Sequence, residues 1–138
     1  MLERETLCFP ATKESYPDII QSVISKAMLL GLTDARLSRL ELGLEEAISN
    51  IINYAYEVSG NLWLRAEKQN GMFFVDLWDL GVHFNPLRYI EPKPSDLEER
   101  RVGGLGLTFM KKIFAHLSYA HESWQGQMAN HLRLGFKL

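Results

Sequence analysis

The chain has 138 residues, 46% of them hydrophobic and 23% charged, so it can bury a core without metal or disulfide staples. Its 15 basic and 17 acidic side chains leave a formal net charge of -2, with no excess of positive charge to neutralise a nucleic-acid backbone. The single cysteine, Cys8, excludes an internal disulfide and any zinc site that needs several thiolates.

No apolar run approaches the ~20 residues that cross a bilayer, and the opening MLERETLCFP lacks the basic region and apolar stretch of a signal peptide. A single cytoplasmic domain over residues 1–138 is therefore expected. In chain order, Glu3 to Pro10 alternate as a strand does, with Cys8 expected as a small buried hydrophobe between Leu7 and Phe9. SYPDIIQSVISKAMLLGL follows, with Ile19, Ile20, Val23, Ile24, Ala27 and Met28 at helical spacing, Pro17 early and Gly31 as a stop. A second helix is predicted from Thr33-Asp34 to about Glu57, carrying Leu37, Leu40, Leu44, Ala47, Ile48, Ile51, Ile52 and Ala55 as a broad apolar stripe.

The segment LWLRAEKQNGMFFVDLWD predicts a β-hairpin, because Asn70-Gly71 accepts the positive φ angles of a two-residue turn. Leu80 to Val102 loses all periodicity, carries Pro86, Pro92 and Pro94 and ends in DLEERR, with Ser95 and Glu98 placed to cap a short helix. A structureless stretch of about twenty residues is unusual in a compact domain and often functional. A third helix is predicted from Gly104 to about Leu117, with Leu107, Met110, Ile113 and Phe114 on one face. The tail then forms a hairpin turning near Gln125-Gly126-Gln127. Strands at the two ends and in the middle, with three helices between them, predict helices on one face of a mixed sheet.

Three segments carry polar or glycine residues that folding alone does not require. In ELGLEEAISNIINYAY, Glu46 and Asn50 are four apart and share a helix face. An amide oxygen is a hard ligand for Mg²⁺, and a carboxylate can take a proton or orient a nucleophile; the competing explanation is a solvated face. In VDLWDLGVHFNP, Asp79 ends an apolar strand and is followed by Leu80-Gly81. It can accept a hydrogen bond from a flat polar ligand that the glycine lets approach, although Asp-x-Gly is also common in plain turns. In RVGGLGLTFMKKI, glycines at 103, 104 and 106 enter an amphipathic helix, where free N–H groups and the helix dipole favour an anion. It is neither a P-loop nor a dinucleotide fingerprint.

Together, EEAISN, DLGVHFNP and GGLGL resemble, in order and spacing, the ATP-binding domains of the GHKL superfamily: gyrase-type topoisomerases, heat-shock chaperones, histidine kinases and mismatch-repair ATPases. The branch of small bacterial anti-sigma factors that are also serine-protein kinases looks closest, and the resemblance covers nearly the whole chain. It implies an α+β two-layer sandwich, the Bergerat fold, with a mixed, mostly antiparallel sheet and about three helices on one face. It implies ATP and Mg²⁺ as cofactors, Glu46 as general base and Asn50 as the Mg²⁺ ligand. Asp79 would bind the adenine amino group beside Gly81, and Phe84 and Pro86 fit the Phe-x-Pro variant of that branch.

The segment Gly103, Gly104, Leu105, Gly106 and Leu107 would meet the phosphates. Residues 87–102 would form a lid, with Arg100 and Arg101 towards phosphate charge. The implied partners are an anti-sigma-factor antagonist as phosphoacceptor and a sigma factor or similar regulator, bound by a homodimer. The chain departs from the family's pattern at His83, where a second glycine is common, and at Tyr54, where many relatives carry histidine. A late threonine that often assists phosphate binding has no clear counterpart; Met128-Ala129-Asn130 occupies its region. The competing functions are a nucleotide-dependent binding switch that moves no phosphate and the ATP-binding domain of a split histidine kinase.

Overall fold

The computed structural model describes residues 5–88 and 104–138. Five strands form one sheet in the order β1-β2-β3-β5-β4, where β1 is Leu7–Pro10, β2 Asn61–Gln69, β3 Met72–Asp79, β4 His116–Trp124 and β5 Gln127–Lys137. Every neighbouring pair is antiparallel, so the sheet has no parallel pair among the described residues. Among the described residues three α-helices accompany the sheet: α1 (Tyr16–Leu29), α2 (Asp34–Asn50) and α3 (Gly104–Ile113).

Side chains alternate across a strand, and the register shows which face the helices cover. Leu62, Leu64 and Ala66 of β2, Phe73, Val75 and Leu77 of β3, and Leu132, Leu134 and Phe136 of β5 all point one way. They share a single core with Ile19, Val23 and Ala27 of α1, Leu40, Leu44 and Ile48 of α2, and Met110 and Ile113 of α3. The predicted apolar stripes of the three helices are thus the surfaces that bury, except at Met28 near the end of α1, which is 57% exposed. Asn70 and Gly71 adopt φ of 51° and 78°, as the predicted hairpin turn requires.

Three boundaries and one burial state differ from expectation. The first strand starts at Leu7, because Glu5 and Thr6 stay outside the ladder; residues 1–4 lie outside the described residues. Cys8 is exposed, since it alternates with Leu7 and Phe9 and takes the sheet face opposite the helices, paired with Trp63. The second helix keeps α geometry only to Asn50, passes into a π-turn over Ile51–Ala55, and ends with Tyr56 extended at φ -123°. The third helix ends at Ile113 and not near Leu117. The Ala115 N–H is captured by the Gly135 carbonyl at 2.8 Å, and β4 begins at His116. Ser95 and Glu98 lie outside the described residues.

Candidate nucleotide-binding site

The alternation that buries the core also sets three polar side chains on its inner face. Across the sheet, Leu62 pairs with Asp79, Asp79 with Asn130, and Asn130 with His121. Asp79 and Asn130 are each only 6% exposed, and buried polar groups cost free energy unless they are hydrogen-bonded. Both are bonded. Asp79 Oδ1 accepts from the Gly81 N–H at 2.9 Å and from Asn130 Nδ2 at 2.9 Å. Neither bond uses Oδ2. Burial pushes the Asp79 carboxyl above the ordinary carboxylate range, against the lowering by the Asn130 and Gly81 bonds and by nearby His121.

Above this pair lies an open cleft. Ala47, Asn50, Ile51 and Tyr54 of the second helix and its π-turn form one wall. Asp79, Asn130 and Leu132 form the floor, and Val82, Phe84, Pro86 and Tyr119 close the rim. The cleft is mostly apolar with a few converging polar groups, as a flat aromatic ligand needs. Asn50 and Asp79, far apart in sequence, therefore meet on one cavity. Glu46 stands one turn before Asn50 on the same helix face and is partly buried. Burial, and then the neighbouring Glu45 charge, push its carboxyl up, towards the range in which a general base works best.

The segment between Asp79 and Phe84 is tied at nearly every residue. Leu80 N–H donates to Tyr56 Oη at 2.7 Å, and Val82 N–H donates to the Ala55 carbonyl at 2.9 Å. Gly81 has a reason inside the protein itself: a Cβ there would sit 2.1 Å from the Ala55 carbonyl oxygen. The sequence gives that glycine to ligand approach, whereas the structure uses it for the approach of the π-turn to the strand end. A π-turn inside a helix often marks a functional site, and here it carries Tyr54 into the cleft wall.

The glycine segment is described from Gly104 onward, and Gly104, Leu105 and Gly106 form the first turn of α3. The N–H groups of Gly104, Leu105 and Gly106 precede the first i to i−4 bonds of the helix, the position at which a helix favours an anion. Leu107 itself is 7% exposed and belongs to the core, so its side chain is not available to a ligand. Gly103, Arg100, Arg101 and most of the expected lid (89–102) lie outside the described residues.

Two groups of residues escape sequence reasoning. Asn130 occupies the region of the absent threonine and bonds directly to Asp79, a contact that only the β3–β5 register reveals. His83 stacks on His121 with ring centroids 4.0 Å apart, beside Tyr119 at 6.2 Å, and so forms part of the outer rim.

The donor set also bears on a metal. No group of three or more His, Cys, Asp or Glu side chains suited to a cation occurs among the described residues. A cation here would rest on one or two protein ligands and a phosphate, the usual arrangement for Mg²⁺, and the Asn50 amide oxygen fits that role. Among the described residues no helix is long and apolar enough to cross a membrane.

One similar solved structure is the Acinetobacter baumannii histidine kinase AdeS, 18% identical, with 99% of this chain and 68% of that one covered and a TM-score of 0.49. No curated protein sequence matches. The family model described as the histidine kinase-like ATPase domain matches residues 9–135, from the first strand to the last. The chain belongs to that family of ATP-binding domains.

Proposed function

We propose that the chain is a serine-protein kinase and anti-sigma factor, which binds Mg-ATP in the cleft beneath the second helix. The observation that carries this reading is the convergence of Asn50 and Asp79 on one apolar cavity, with Glu46 one helical turn away. Asp79 Oδ2 would accept a hydrogen bond from the adenine amino group, with Ile51, Ala55 and Leu132 supplying apolar lining for the base. The α3 entry, from Gly103 to Leu107, meets the phosphates through backbone N–H groups, with Arg101 adding charge from the lid. Asn50 holds Mg²⁺, which neutralises phosphate charge when bound. Glu46 takes the proton of the attacking serine hydroxyl, while positioning supplies most of the remaining acceleration.

The phosphoacceptor is a small anti-sigma-factor antagonist. A homodimer of the chain sequesters a sigma factor or similar regulator in the cytoplasm while that antagonist is phosphorylated. A second reading, a switch that binds a partner in response to nucleotide and moves no phosphate, draws on the His83–His121 stack, which departs from the family's usual glycine.

Incubation with Mg-ATP and the cognate antagonist should give phosphoserine on the antagonist. Glu46→Ala should lower that rate by about 10²-fold or more, as loss of a general base does, and leave ADP binding in place. Equal phosphorylation by both proteins removes Glu46 from the mechanism. Acid-labile phosphohistidine on the partner would assign the chain to histidine kinases. Nucleotide-dependent capture of the partner without transfer would favour the switch.

A further inference from the structure

We infer that Asn130 is the positioning residue of base recognition: it fixes Asp79 and its loop so that Oδ2 alone faces the bound base. The inference rests on the reading above, in which Asp79 reads adenine. A carboxamide has two N–H donors and two acceptor lone pairs, and Asn130 uses all four within the protein. Nδ2 donates to Asp79 Oδ1 at 2.9 Å and to the Val82 carbonyl at 2.8 Å. Oδ1 accepts from the Tyr119 hydroxyl and from the Phe84 N–H at 3.4 Å. No capacity remains for a ligand, so Asn130 acts on a nucleotide only through Asp79.

The direction of the amide is determined by its surroundings. Turning it over would set the amide N–H against the Phe84 N–H, and its oxygen against the Asp79 carboxylate and the Val82 carbonyl. Donors on one side and acceptors on the other hold Nδ2 towards Asp79. Oδ1 of Asp79, already bonded to the Gly81 N–H, is thereby filled, and Oδ2 is left as a fixed acceptor. Such a group accepts from the exocyclic amino group of adenine and opposes the carbonyl that hypoxanthine carries at the same place. Sites built around one hydrogen bond reject the analogue lacking it far more strongly than they reject a change of size. Asn130 also ties Val82 and Phe84, so the rim and the acceptor are set by one side chain.

The test is calorimetric titration of the full chain with ADP and with IDP, for the wild type, Asn130→Leu, Tyr119→Phe and Asp79→Asn. Wild type should prefer ADP by about tenfold or more, and Asp79→Asn should abolish the preference. Tyr119→Phe removes one hydroxyl from a half-buried site and should narrow the ADP:IDP ratio about threefold or more. Asn130→Leu should bring the ratio close to that of Asp79→Asn; if it fails to fold, Tyr119→Phe still decides. A ratio that stays at the wild-type value while both affinities fall in parallel would show that Asn130 only supports the fold, and would overturn the inference. A wild type that binds ADP and IDP alike would show that Asp79 does not read the base, and both readings would fall together before any variant is compared.

Discussion

A histidine set between two carboxylates can donate to both only when both of its ring nitrogens carry protons. His131 Nε2 lies 2.7 Å from Asp76 Oδ1, and Nδ1 lies 2.7 Å from Glu122 Oε1, on the sheet face away from the cleft. Asp76 is 2% exposed and also takes both of its oxygens to Arg133 Nη1, at 2.8 and 3.1 Å. Burial alone would lower the His131 pKa, but its bonds to Asp76 and Glu122 and their charges outweigh burial, so the net displacement is upward. The folded-state value thus lies above the unfolded one of about 6.5. The stability that this cation contributes is complete below about pH 6.5 and is lost as pH rises through the folded value. His131→Gln should cost about 1.5–3 kcal/mol at pH 5.5, the range for hydrogen bonds to charged groups, and progressively less as pH rises. Urea titrations at several pH values check this, and a penalty that is constant or grows with pH would exclude a cationic His131. Legibility at this scale depends on how local a relation is. Glu46 and Asn50 are visible because helix periodicity alone joins them. The bonds Asp79–Asn130 and Asp76–His131 span 51 and 55 positions and depend on a strand register that no short-range pattern encodes.

Elements fix the cleft by how closely they approach one another. The π-turn over Ile51–Ala55 meets the end of β3 at Gly81, where a Cβ would lie 2.1 Å from the Ala55 carbonyl oxygen, 2.5 Å from its carbon and 2.7 Å from the Ala55 Cβ. Backbone atoms cannot step aside as the tip of a side chain can, so the whole contact must open. Gly81→Ala should therefore destabilise the chain by about 1–3 kcal/mol, as overpacking does. It should also weaken ADP binding, because the displaced segment carries the Gly81 N–H bond to Asp79 and the Val82 N–H bond to Ala55. Denaturant unfolding and ADP titration of the same variant test both parts. Unchanged stability would mean that the contact relaxes without cost. The hairpin at Asn70-Gly71 and the helix stripes were legible because each is encoded within about ten residues. The end of α3 was not, since Ile113 to Leu117 is apolar enough for either structure. What stops the helix is a distant strand: the Gly135 carbonyl takes the Ala115 N–H and the β5 ladder takes the next nine residues.

At the scale of the whole molecule, the sheet divides two environments. The face under the helices holds the core and the cleft, whereas the opposite face gathers all three tryptophans of the chain. Trp78 stacks on Trp124 at 5.0 Å and on His131 at 4.5 Å, and Trp63 meets Trp124 edge-on at 5.1 Å. Arg65 lies over the Trp78 ring at 5.1 Å. Pairs of this kind add about 0.5–1.5 kcal/mol beyond the area they bury, so the outer face is secured by its own aromatic cluster. The helix and strand layers were legible in outline from apolar periodicity, but the pairing of the tryptophans was not, because it follows from the order of strands in the sheet. This separation has a measurable consequence. Every indole lies across the sheet from the cleft, so filling the cleft with Mg-ADP should leave the tryptophan emission maximum in place. Unfolding breaks the cluster and should move the same emission to the red. At a hundredfold excess over its dissociation constant, ADP should still raise the unfolding free energy by about 2.7 kcal/mol through mass action. Binding should therefore be silent in the folded-state spectrum and visible only as a later unfolding midpoint in that same signal. A large spectral change on adding nucleotide would place the ligand against the tryptophan face and not beneath the second helix. An unmoved midpoint at millimolar ADP would mean that the cleft does not take the nucleotide.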